Sequence, residues 1–328
     1  MAVERGTVRP GSILRPPVSA DFLAKATHAR VGITVAVIGI MVAMVAFIGS
    51  IVNASLLADD GAADTTVIAN LAWTFGVATA ALGVLKIGIA LVLWGIVRRL
   101  WIRVESVKAG LPKLMANATD KGKISSPTEK TPYGTVTVRD KASAALPIHR
   151  MAYTMWSPML LMGVMVVAVG LVFAIIEAVA GSDGNREDFR TFGALAQGTE
   201  FLGEAFILAG ISFVLGSILG SLRQGGGEVQ ESVGAPVKTP VMPFAAKLFV
   251  GLMMMGLMLA VLQFVLYLVV AANDSAASVA AWSAWLGPLR EASLGIMLSG
   301  IVLALATIGT TILPFQFWRI QQLIRDGK

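Results

Sequence analysis

The stretch AAKLFVGLMMMGLMLAVLQFVLYLVVAA, residues 245–272, carries one charge, Lys247, near its start and none after it. A helix needs about 20 residues to cross a hydrocarbon layer of roughly 30 Å, so this run is long enough to span a bilayer. Hydrocarbon offers no hydrogen bonds, and a helix satisfies its own backbone groups there. Working outward, comparable apolar runs stand at 31–57, 67–97, 159–180, 200–222 and 291–313. They predict an all-α integral membrane protein of six transmembrane helices, forming a single membrane domain over residues 1–328. The first run, behind a polar leader, reads as an uncleaved span.

Composition agrees. The chain is 56% hydrophobic and 14% charged, with a mean hydropathy of +0.76, whereas soluble domains carry about one-quarter charged residues. Cysteine is absent, which excludes disulfides, iron–sulfur clusters and thiolate metal sites. His28 and His149 each stand just ahead of an apolar run, where a pair of axial haem ligands would not reach mid-bundle. Neither a metal nor a cofactor is expected.

Basic residues near span ends are retained on the cytoplasmic side, so their distribution orients the chain. The leader, the connection from Arg98 to Arg150, the segment holding Arg223, Lys238 and Lys247, and the tail together contain 22 of the 26 Lys and Arg residues. Arg186, Arg190 and Arg290 fall to the opposite loops, and Lys86 falls inside a span. Asp59, Asp60, Asp64, Asp183, Glu187, Asp188 and Asp274 give those opposite loops an acidic character. The pattern predicts a multi-pass protein of the cell inner membrane with both termini cytoplasmic. It also assigns the net charge of +6 to the membrane surface rather than to nucleic acid. Trp94, Trp101, Trp156 and Trp318 at inner ends, and Trp73, Trp282 and Trp285 at outer ends, fit two headgroup belts.

Three tandem parallel hairpin repeats, 15–112, 130–222 and 238–328, are suggested by short matches. Pro17–Lys25 resembles Pro240–Lys247, and Lys130-Thr131-Pro132 matches Lys238-Thr239-Pro240. If they are true repeats, an axis along the membrane normal relates them.

Lys86, near the middle of the second span, is costly there, by about 2.5–3.5 kcal/mol on insertion scales. Glu204 and Glu177 are the carboxylates expected to compensate it, as an intramembrane polar pair or as part of a path for protons or a small anion. Gln263 and Thr307 are further polar residues that such a path would gather. Glycines at 76, 83, 88 and 95, and the pair Gly216 and Gly220, mark positions where helices can approach closely. Pro314 is positioned to kink the last span. Met253, Met254, Met255 and Met258 read as adaptable apolar filler.

The basic connection, 98–150, begins as an amphipathic helix, with Leu100, Val104, Val107, Leu111 and Leu114 recurring beside the charges. Arg98, Arg99, Trp101, Arg103, Lys108 and Lys113 form its expected lipid or partner surface, suited to anionic headgroups. Residues 133–138 alternate as a short strand, and Gly225-Gly226-Gly227 reads as a flexible linker. No phosphate-binding loop, nucleophile elbow or catalytic carboxylate pair is present. The expectation is a non-enzymatic protein, a scaffold or accessory subunit that packs beside other membrane subunits. The alternative is a small ion or solute transporter or channel along the pseudo-threefold axis.

Overall fold

The computed structural model describes residues 27–60, 65–116, 130–131, 134–139, 147–272 and 276–326. In chain order the elements are α1 (Thr27–Asp60), α2 (Thr65–Ala116), β1 (Lys130–Thr131), β2 (Gly134–Arg139), α3 (Pro147–Ser182), α4 (Arg186–Ser232), β3 (Val237–Pro240), α5 (Phe244–Ala271) and α6 (Ala276–Thr307). A π turn, Ile308–Ile312, joins α6 to α7 (Leu313–Asp326). Among the described residues, five helical segments are long and apolar enough to cross a membrane: Gly76–Val97, Ile148–Ser182, Arg186–Ser232, Phe244–Ala271 and Ala292–Ile324. In α1 the corresponding described stretch, Val31–Ala46, is shorter.

Consecutive helices pack as hairpins, α1 on α2, α3 on α4 and α5 on α6. α4 touches α2, α3, α5 and α6. Of its most apolar stretch, 78% of residues are buried, against 22–33% in the other four segments. The outer helices instead turn large apolar side chains outward, such as Leu161, Met165, Val172 and Val179 of α3 and Met258 and Val265 of α5. A face this apolar is stable only where the surrounding medium is also apolar.

Glycine lets α3 and α4 meet backbone to backbone. A Cβ on Gly163 would stand 2.7 Å from the Ile207 amide nitrogen, and one on Gly203 would stand 2.7 Å from that of Val167. Gly88 does the same for α1 and α2, where a Cβ would lie 2.6 Å from the Ala36 nitrogen. The turn between α3 and α4 has Gly184 at φ 71°. Next to it, Asn185 caps α4 by accepting from the Asp188 amide at 3.2 Å, with Glu187 and Asp188 in the first turn of the helix. Both acids are favourable at that positive end of the helix dipole.

Several expectations change. α2 and α4 contain 52 and 47 residues, roughly twice what a bilayer crossing needs, and their excess length packs together as a stalk. Gly225-Gly226-Gly227 is therefore not a linker but a helical segment of α4. A Cβ on Gly225 would meet Val104 Cγ2 at 2.5 Å, and one on Gly226 would meet Gln316 Nε2 at 2.9 Å. Close packing here outweighs the roughly 1 kcal/mol that each helical glycine costs.

The amphipathic face of residues 98–116 turns onto protein. Leu111 clusters with Val229, Ala235 and Leu323, flanked by Val104, Val107 and Ile320. The fold is also not wholly helical. Residues 134–139 form the expected strand, and β3, unforeseen, pairs antiparallel with it, Val138 opposite Lys238. The two Lys-Thr-Pro matches thus meet on either side of β2 in one sheet of order β1-β2-β3. The other repeat match, Pro17–Lys25, lies outside the described residues. The π turn ends just before Pro314, which has no amide hydrogen to donate to the turn before it.

Candidate functional site: a charge cluster within the helices

α4 presents Glu200 and Glu204 one turn apart, hence on one face. Both residues are 1% exposed. Lys86 of α2 reaches Glu204 as expected, with Nζ 2.8 Å from Oε1. Arg290 of α6 closes on the other oxygen, Nη2 to Oε2 3.1 Å, and its guanidinium lies 5.6 Å from the centre of the Phe201 ring. One carboxylate therefore bridges two cations, one from α2 and one from α6. The Lys86 and Arg290 side chains are 19% and 17% exposed, so both are largely withdrawn from the surface.

The charge pattern assigns Arg290 to an outer loop; the structure places it inside α6. It was misplaced because the apolar run that marks this helix begins only after it. Its departure from the basic side was the available signal. Sequence reasoning also misses Glu200, which stands at the start of the 200–222 run, whereas α4 starts at Arg186. Glu200 sits where Gly170 and Gly76 make room. A Cβ on Gly170 would come within 2.5 Å of Glu200 Cγ. Thr79 lies within hydrogen-bonding reach of the Glu200 carboxyl.

Glu177 does not join Lys86. It packs over Gly193, where a Cβ would meet its Oε1 at 2.7 Å. Gln263 donates to the Leu286 carbonyl at 2.8 Å, linking α5 to α6. One turn further along α5, Tyr267 donates to Gln197 of α4 at 3.2 Å. Thr307 stands apart and donates within its own helix to Leu303, at 2.8 Å. The polar residues proposed for a path are thus gathered only in part.

At the stalk end, Trp101 is buried and donates to Ser221 at 3.2 Å. Trp94 stacks on Trp156 at 4.6 Å and meets Trp101 edge-on at 5.8 Å. Lys108 pairs with Glu228 at 2.6 Å, and the Arg103 guanidinium lies 4.9 Å from the centre of the Phe317 ring. These residues knit α2 to α4 and α7. The side chains of Arg98, Arg99 and Lys113 lie outside those described. Among the described residues, no three His, Asp or Glu side chains gather as a metal site. No protein-family model, curated protein or solved structure matches this chain.

Proposed function

We propose that this protein is a non-enzymatic, six-span scaffold or accessory subunit of a larger membrane complex, built from three helical hairpins. The observation that carries this reading is the bridging of Lys86 and Arg290 by Glu204. The intramembrane charges of α2 and α6 bind one carboxylate of the central helix, which is what a structural clamp requires. A substrate path would instead leave polar groups open along its length. The burial of α4 at the bundle centre adds support, as does a stalk that offers a partner a rigid surface beyond the bilayer.

Gentle extraction followed by mass determination tests the subunit reading. The expected result is a particle heavier than the 34.4 kDa chain with other membrane proteins in fixed ratio. A stable, solitary monomer would count against it.

The orientation we infer puts the stalk in the cytoplasm of a bacterial inner membrane. Because the chain has no cysteine, single cysteines report cleanly. Asp183→Cys, in the exposed α3–α4 turn, should react with an impermeant maleimide in intact cells. Ala109→Cys, exposed on the stalk, should react only after permeabilisation. Equal labelling of both from outside would reverse or dissolve the topology.

A further inference from the structure

A cavity of about 70 Å³ lies at the base of the stalk, walled by α2, α4, β3 and α7. It begins where three apolar runs stop. Those runs end at residues 97, 222 and 313, and the cavity wall starts at Leu100, Ser221 and Ile312. Along α2 the wall reaches Val107, so the cavity lies roughly 4–15 Å past the end of the α2 run, at 1.5 Å per residue. The headgroup layer outside the hydrocarbon is about 5–7 Å thick. The near part of the cavity therefore sits at headgroup depth, a level that the clustered indoles of Trp94, Trp101 and Trp156 also mark.

The charge on the wall is of one sign. Arg103 of α2, Arg223 of α4, Lys238 of β3 and Arg319 of α7 line the cavity, and among the described residues no Asp or Glu does. Arg103 is exposed and Arg223 half-buried, so these two are the cations a ligand reaches first. The Arg103 guanidinium rests 4.9 Å from the centre of the exposed Phe317 ring. Lys238 and Arg319 are buried. Arg319 is fixed in place by donating to Gln230 at 3.0 Å and to the Pro236 carbonyl at 3.2 Å. The charge of these two acts through the wall, since Coulomb attraction needs no direct contact. The stalk carboxylates Glu105 and Glu228 turn instead to Lys108, at 3.5 and 2.6 Å. A cleft carrying one sign of charge between low-dielectric walls focuses its field on whatever enters.

We propose that this cavity binds the phosphate of an anionic phospholipid, held by Arg103 and Arg223, with its acyl chains running back along the bundle into the bilayer. Guanidinium groups match phosphate oxygens with paired, charge-assisted hydrogen bonds. The space holds a few waters, which one tetrahedral anion displaces. A zwitterionic headgroup is disfavoured because its ammonium would face four cations. A soluble phosphate shares the head chemistry, but the depth of the cavity and the apolar Leu100, Leu222 and Leu313 at its bundle end favour a phosphate that carries a chain. Basic pockets between membrane helices are suited to such headgroups. The cavity is separate from the charge clamp, and the proposal does not depend on the subunit reading.

The test uses the full chain in a mild neutral detergent and counts bound lipid by native mass spectrometry. The probes are short-chain phosphatidylglycerol, short-chain phosphatidylcholine and inorganic phosphate. Phosphatidylglycerol should bind about twentyfold more tightly than phosphatidylcholine, as two arginines at about fivefold each warrant. Arg103→Gln and Arg223→Gln should each remove about fivefold of that preference. Arg150→Gln, at an exposed arginine of α3 outside the cavity wall, should leave it unchanged. Equal binding of the two lipids by wild type overturns the proposal. So does a loss in Arg150→Gln as large as in the cavity variants, which would mean a diffuse attraction to the basic face. Inorganic phosphate that displaces phosphatidylglycerol at equal concentration would overturn the lipid assignment in favour of a soluble anion. The wild-type comparison of the two lipids decides even if a variant fails to fold.

Discussion

Glu204→Gln destabilises the bundle by about 3–5 kcal/mol, the cost of removing one partner from a buried pair and leaving its opposite charge behind. Two cations are stranded here, Lys86 and Arg290, each less than one-fifth exposed, so solvent screens them only in part. Lys86→Met has a different sign to offer. Arg290 keeps Glu204 paired, and the removal of a Lys from mid-span relieves an insertion cost of about 2.5–3.5 kcal/mol. Its stability should stay within about 1 kcal/mol of wild type or rise, because replacing a buried ion by a packed apolar side chain is often neutral to stabilising. Unfolding by detergent titration measures both. Equal losses in the two variants would mean that each charge is solvated independently and that Glu204 bridges nothing of consequence.

Gly163→Val should cost about 3 kcal/mol or more, at the upper end of what overpacking produces. Even the first added carbon would lie 2.6 Å from Ile207 Cγ1, 2.7 Å from the Ile207 nitrogen and 2.8 Å from the Gly203 oxygen. Two of these are backbone atoms, so no rotamer change relieves the clash and α3 must lift from α4. Gly251 and Gly295 provide the control, since nothing lies within 4 Å of a Cβ at either. Gly251→Ala and Gly295→Ala should leave stability unchanged or raise it by up to about 1 kcal/mol, through helix propensity alone. The same titration separates the two classes. A Gly163→Val protein as stable as the Gly251→Ala protein would show that the close α3–α4 crossing does not form.

Properties that run along the chain were legible without a fold. Apolar run length marks a helix in lipid because the bilayer imposes a length and water is absent from its core, and neither condition needs a neighbour. The pairing of Lys86 with Glu204 was also within reach, since a lone mid-span cation needs an anion and few were on offer. The alternation at residues 133–138 foretold a strand, although its partner at Val237–Pro240 was hidden in a segment too short and too mixed in composition to announce itself.

What only the tertiary structure decided is which faces meet. Helix rotation brings Arg290 onto Glu204 and turns Glu177 toward Gly193 instead, and no spacing along one helix reports the rotation of another. Gly225-Gly226-Gly227 has the composition of a linker, yet it is helical because Val104 and Gln316 fill the space its missing side chains leave. His149 stood at the head of an apolar run with nothing to distinguish it; only the packing of α3 on α4 lays its ring over Gly220. A sequence dictates the solvent each segment prefers, because that preference is local. The contacts among segments are settled jointly, by shape and charge supplied from residues far apart in the chain.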